Sequence, residues 1–132
     1  LILHKVDLKG IILKPNMILA GNESKDKISN EEVAKLTLDC LKNSVPSEVP
    51  GIAFLSGGQS EIEATENLNL ISKINTTNFI MSYSYGRALQ QSALKFWSKD
   101  IHNIEGTQKV FNLRAKMNTL AAQGKWSREL EI

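Results

Sequence analysis

Lys14 is the only charged residue in the stretch Gly10–Met17, where it follows Ile11-Ile12-Leu13 and precedes Pro15. A lysine at the end of an apolar run is suited to nucleophilic work. An amine attacks a ketone only when it is neutral, and free lysine titrates near ~10.4, so desolvation or a neighbouring cation must lower that value. The end of a buried strand supplies the desolvation. Pro15 fixes the chain direction just beyond Lys14 and favours an extended backbone at Lys14 itself. The ordinary alternative is a lysine whose ammonium reaches out of the strand end into water.

Two further strings have the form of an anion grip. Ser56-Gly57-Gly58 comes just before Ser60, which is placed to open a helix. Glycines let the backbone approach an oxyanion closely, their amides point at it, and a helix start adds a favourable dipole. The same string also fits a plain strand-to-helix turn. In Ser84-Tyr85-Gly86-Arg87 a guanidinium stands at another expected helix start, where it can hold a phosphate through paired hydrogen bonds, with Ser84 adding a hydroxyl. By itself Arg87 equally suits a surface ion pair.

Other polar residues carry less. His4 and His102 have no metal-ligand spacing to each other or to Cys40. Glu61, Glu63 and Glu66 fall in the first turns of an expected helix and read as a solvated face. Cys40 reads as a small buried helix residue and Tyr83 as core, while Tyr85 is open between the two.

Short apolar runs alternate with longer amphipathic ones. Leu8–Leu13, Gly51–Leu55 and Phe79–Tyr83 read as strands. A helix is expected from Ser29 to Leu41, started by a Ser29…Glu32 capping box and burying Val33, Leu36, Thr37, Cys40 and Leu41. A second box, Ser60…Glu63, opens a helix to about Lys73 with Ile62, Ala64, Leu68 and Ile71 on its buried side. Further helices are expected from about Arg87 to Trp97 and from about Ile104 to Ala122, the last ended by Gly124. Three strand–helix units imply a parallel sheet, either doubly wound or part of a (βα)8 barrel. Barrel phosphate sites commonly form after strands 7 and 8, and the Gly-Gly and Gly-Arg motifs follow the second and third strands here. These would then be strands six, seven and eight. A full barrel takes ~250 residues, so the chain would be roughly its last half, with open sheet edges and an incomplete core.

The composition fits one soluble domain: 132 residues, 42% of them hydrophobic, at net charge +2. That charge is too small, and aromatic residues too few, for a nucleic-acid surface. No apolar run approaches the roughly 20 residues of a membrane span. A single cysteine permits no intrachain disulfide and suits a reduced, intracellular setting. Leu1 in place of an initiator methionine suggests a fragment.

Taken together, Leu13-Lys14-Pro15-Asn16-Met17, Leu55-Ser56-Gly57-Gly58-Gln59-Ser60 and Ser84-Tyr85-Gly86-Arg87 resemble the C-terminal part of the class I, Schiff-base fructose-bisphosphate aldolases. The resemblance runs from about His4 to about Trp126. It implies an α/β fold, a (βα)8 TIM barrel of which these residues form about the last three βα units, and a single barrel domain that residues 1–132 leave incomplete. It also implies reversible cleavage of fructose 1,6-bisphosphate into dihydroxyacetone phosphate and glyceraldehyde 3-phosphate in glycolysis. Lys14 would form the covalent imine. Ser56, Gly57, Gly58, Ser84, Gly86 and Arg87 would hold the C1 phosphate. Neither a metal nor another cofactor is implied; the partners are a sugar-phosphate substrate, three further copies in a homotetramer, and an actin-linked protein. The family draws an aspartate, lysines and a glutamate from earlier strands, and ends in a mobile tail with a terminal tyrosine. Neither has a counterpart here, so the chain alone is expected to be inactive. Two rival readings remain. One is another lysine-dependent barrel, against which the full Ser-Gly-Gly-Gln-Ser string speaks. The other is a non-catalytic phosphate-binding or scaffold role for the same fold.

Overall fold

The computed structural model describes residues 1–131, the side chain of Ile2 excepted. Three short strands, β1 (Ile12–Leu13), β2 (Gly51–Phe54) and β3 (Ile80–Tyr83), form a parallel sheet in the order β1-β2-β3. Ile12 pairs with Gly51, and Gly51 with Ile80. Between and after the strands run α1 (Asn30–Ser44), α2 (Glu61–Ile74), α3 (Arg87–Trp97) and α4 (Ile104–Ala122). Every crossover is therefore helical, as parallel neighbours require.

The strand faces explain the layers. Ile52, Phe54 and Met81 are buried under the helices, and α2 packs against α1, α3 and α4. Fully burying an Ile52, Phe54, Leu68 or Ile71 side chain contributes about 1.5–3 kcal/mol each. The opposite face is bare: Ile12 is 71% and Ile80 70% exposed, and with Gly51, Ala53 and Ser82 they line a hollow of about 320 Å³.

Local chemistry sets the element ends. Ser29 accepts the Glu32 amide at the start of α1, and Ser60 and Glu63 form the complete reciprocal box at the start of α2. Gly124, at a φ of +67°, donates to the Ala121 carbonyl and closes α4 as expected.

Four expectations are corrected. Leu8–Leu13 is not one strand: the Asp7 carboxylate accepts the Lys9 amide and folds Leu8–Gly10 into a 3-10 turn, leaving only Ile12–Leu13 to pair. Helix α1 runs on to Ser44 and turns a different face inward. Val33, Ala34, Thr37, Leu38 and Leu41 are buried, whereas Leu36 and Cys40 are exposed. Tyr83, expected in the core, is only half-buried against it, and Tyr85, left open, is the buried one. Lastly, the glutamates are not all a solvated face. Glu61 accepts from the Ser92 amide (3.0 Å) and hydroxyl, tying α2 to α3, and Glu66 pairs with Arg128 at 2.6 Å.

Candidate active site

Because the strands are parallel, the segments that follow them emerge on one rim of the sheet. Lys14, Ser56–Gly58 and Ser84–Arg87 are those segments. They are stitched together by backbone hydrogen bonds that extend the ladder past the strand ends. The Leu55 amide donates to the Pro15 carbonyl (3.0 Å), and the Ser84 amide donates to the Phe54 carbonyl (2.8 Å). The expected residues thus lie on neighbouring loops of one rim, in the order their strands take.

Lys14 continues the alternation of β1. Leu13 packs toward the helices, so Ile12 and Lys14 share the bare face. The approach strand was expected to be buried. In the structure Lys14 is exposed, because nothing among the described residues covers that side of the three-stranded sheet. The segment beyond it is firmly placed. Met17 is buried, and the Ile18 amide donates to Thr37 Oγ1 of α1 at 2.9 Å.

The Ser56–Gly58 turn adopts the backbone that its glycines permit. Gly57 has a φ of +57° and Gly58 of +86°, both in the region that L side chains avoid. Gly57 is also crowded: a Cβ there would collide with the side-chain oxygen of Asn16, two residues after Lys14. Gly58 has open space around it. Both glycines are exposed, so their amides are accessible to an anion. A hollow of about 360 Å³ adjoins them, with Lys27 and Glu63 on its wall.

The third loop is anchored by Tyr85. Its hydroxyl donates to the Ala64 carbonyl of α2 at 2.9 Å, and its ring lies 5.4 Å from that of Tyr83. Burial, with Tyr83 beside it, pushes the Tyr85 phenol well above the usual tyrosine range. With Tyr85 pinned inward, Ser84, Gly86 and Arg87 are left exposed. Gly86 caps α3 without a side chain, so the first amides of that helix stay available next to the Arg87 guanidinium. The arrangement offers glycine amides, a helix start, a hydroxyl and a guanidinium on the same rim as Lys14. That set suits a phosphorylated carbonyl compound.

Sequence reasoning missed the residues that support these loops. Asn16 covers Gly57. Gln59 and Asn67 form a buried amide pair beneath the turn, with Asn67 Nδ2 donating to Gln59 Oε1 at 2.7 Å. One signal was available: Asn67 falls in the apolar stripe Ala64, Leu68, Ile71 of α2, a position where an amide must find a partner.

Comparison with known proteins shows the family and the fold. The family model described as "Fructose-bisphosphate aldolase class-I" matches residues 1–131. The non-muscle fructose-bisphosphate aldolase of Lethenteron camtschaticum is 52% identical over 124 residues, which cover 93% of this chain and 34% of that protein. The cytoplasmic isozyme of Spinacia oleracea is 50% identical over the same share of each. A solved structure of fructose-bisphosphate aldolase from Plasmodium falciparum, in complex with TRAP and a small-molecule inhibitor, superposes with a TM-score of 0.89 at 43% identity. That match covers 93% of this chain and 35% of the other. The chain thus spans about a third of the length of the curated relatives it matches.

Proposed function

This chain belongs to the class-I fructose-bisphosphate aldolase family, and we propose that it is the C-terminal part of a single (βα)8 barrel that cleaves fructose 1,6-bisphosphate reversibly into dihydroxyacetone phosphate and glyceraldehyde 3-phosphate. The observation that carries this reading is the common rim, on which the Lys14 loop is hydrogen-bonded through Pro15 to the phosphate turn after β2.

The roles follow from the chemistry. The neutral Lys14 amine adds to the C2 ketone, water leaves, and an iminium forms. As the C4 hydroxyl gives up its proton to a base, the C3–C4 bond breaks toward that iminium, releasing glyceraldehyde 3-phosphate and leaving an enamine on Lys14. Protonation and hydrolysis return the amine and free dihydroxyacetone phosphate. The protonated imine is the electron sink, so the scheme uses no metal or cofactor. Ser56, Gly57, Gly58, Ser84, Gly86 and Arg87 hold the C1 phosphate and so fix the ketone against Lys14. Strands from the remainder of the barrel would cover the bare face on which Ile12 and Lys14 lie, and so desolvate the amine.

The test is an assay of the full-length protein with fructose 1,6-bisphosphate in the presence and absence of a chelator. Equal cleavage in both supports the imine mechanism; no cleavage, or cleavage lost on chelation, contradicts it. The same reading carries a glycolytic, cytoplasmic, tetrameric enzyme and a cytoskeleton-linked protein partner. Sedimentation and imaging of the tagged full-length protein check assembly and location, and a monomer or an organelle signal would contradict those parts.

A further inference from the structure

We propose that Gln59, backed by Asn67, is a positioning residue that holds the phosphate turn in register with the lysine loop and thereby sets the affinity for the phosphate. This inference rests on the function proposed above.

Gln59 is 9% exposed and lies directly after the two left-handed glycines. Its Nε2 donates to the Ser56 carbonyl at 2.8 Å and lies 3.6 Å from Met17 Sδ, in the loop that follows Lys14. On its other side Oε1 accepts from Asn67 Nδ2 at 2.7 Å. One side chain therefore touches the first residue of the phosphate turn, the lysine loop and the core of α2. The polarity is fixed: only a group that donates at one atom and accepts at the other satisfies both Ser56 and Asn67. Asn67 is fully buried and its Oδ1 has no partner, so α2 holds an unsatisfied acceptor to keep this donor in place. Asn16 closes over Gly57 within the same turn. The glycine turn that would hold phosphate is thus tied down at the Ser56 carbonyl by Gln59 and packed against Asn16 at Gly57, and neither side chain needs to touch the ligand.

The substitutions Gln59→Met and Gln59→Glu in the full-length protein test this. Met keeps the length and the contact with Met17 but loses both polar bonds. Ionised Glu keeps the acceptor for Asn67, loses the donor for Ser56, and adds a like charge beneath the anion. Each should raise KM for fructose 1,6-bisphosphate about 10-fold, the scale of one hydrogen bond, while kcat falls no more than about twofold. The Glu variant adds a readout that a purely structural role would not move. Protonated Glu both donates and accepts, as Gln does, so its affinity deficit relative to the unsubstituted protein should shrink as pH falls. Affinity for inorganic phosphate, measured by calorimetry, should track KM. An unchanged phosphate affinity in folded variants, an equal loss in kcat, or a pH-independent deficit for Gln59→Glu would overturn the role of Gln59. If the unsubstituted protein cleaves no bisphosphate, the function proposed above fails instead, and the phosphate titration still decides the role of Gln59.

Discussion

At the scale of single residues, the clearest division is between groups left free and groups pinned. Arg87 is exposed at the first position of α3, and its removal should leave the fold intact. In the full-length protein Arg87→Ala should weaken binding of fructose 1,6-bisphosphate by about 1.5–3 kcal/mol, the scale of a charge-assisted hydrogen bond, with the melting temperature unchanged. Calorimetry that finds equal affinity would remove Arg87 from the phosphate grip. Tyr85 is the pinned case. Its phenol is raised above the usual tyrosine value, so the unfolded chain loses its proton first as pH rises. The stability Tyr85 contributes is complete below about pH 10 and declines above it. Urea unfolding between neutral pH and pH 11 should show that decline, and Tyr85→Phe should flatten it while losing about 1 kcal/mol at neutral pH. A decline of equal slope in the Phe variant would contradict the assignment. The places of Lys14, Ser56 and Arg87 on one rim were legible in the sequence because each stands near the end of an apolar run, where a strand hands over to a loop. Gln59 and Asn67 were not, because the worth of an amide depends on which partner the fold brings to it.

Among the elements, α2 positions most of the site. It accepts Tyr85 at the Ala64 carbonyl, supports the glycine turn through Asn67 and Gln59, and reaches α3 through Glu61. The turn before it is equally constrained. Gly57→Ala would add a side chain at positive φ and drive it into Asn16, costing about 1–2 kcal/mol for the backbone alone. Phosphate affinity and unfolding midpoint should both fall; a variant with normal affinity would show that the turn does not serve the anion. Arg114 on α4 donates to Thr65 Oγ1 of α2 (3.2 Å) and makes a double hydrogen bond to Glu131 (2.9 and 2.6 Å), and Trp126 Nε1 donates to the same carboxylate. The Arg114 and Glu131 side chains are 9% and 14% exposed, so Glu131→Ala would strand a buried guanidinium at a cost of about 3–5 kcal/mol, readable by urea unfolding. Two helix starts, at Ser29 and Ser60, and one helix end, at Gly124, were legible because capping is local chemistry. The false strand over Leu8–Gly10 and the misplaced face of α1 were not. In the first, an aspartate carboxylate competes with sheet pairing. In the second, two apolar stripes fit the sequence and only packing against α2 selects one.

Over the whole molecule, the sheet has one covered face and one bare face, and the bare one carries Lys14, the proposed nucleophile. Parallel order and helical crossovers were legible from the alternation of short and long apolar patterns. The exposure of Ile12, Ile80 and Lys14 was not, because an apolar run looks the same whether one or both faces of its strand are covered, and the described residues cover only one. The account rests on Lys14, and one measurement bears on it most directly. The full-length protein is incubated with dihydroxyacetone phosphate, reduced with borohydride, and mapped by mass spectrometry, beside a Lys14→Arg variant whose fold is checked by circular dichroism. Arginine keeps the charge but stays protonated, so it cannot form the imine. The account predicts a reduced adduct on the Lys14 peptide and none in the folded variant. An adduct on Lys9 or Lys25, or trapping that persists in Lys14→Arg, would contradict it.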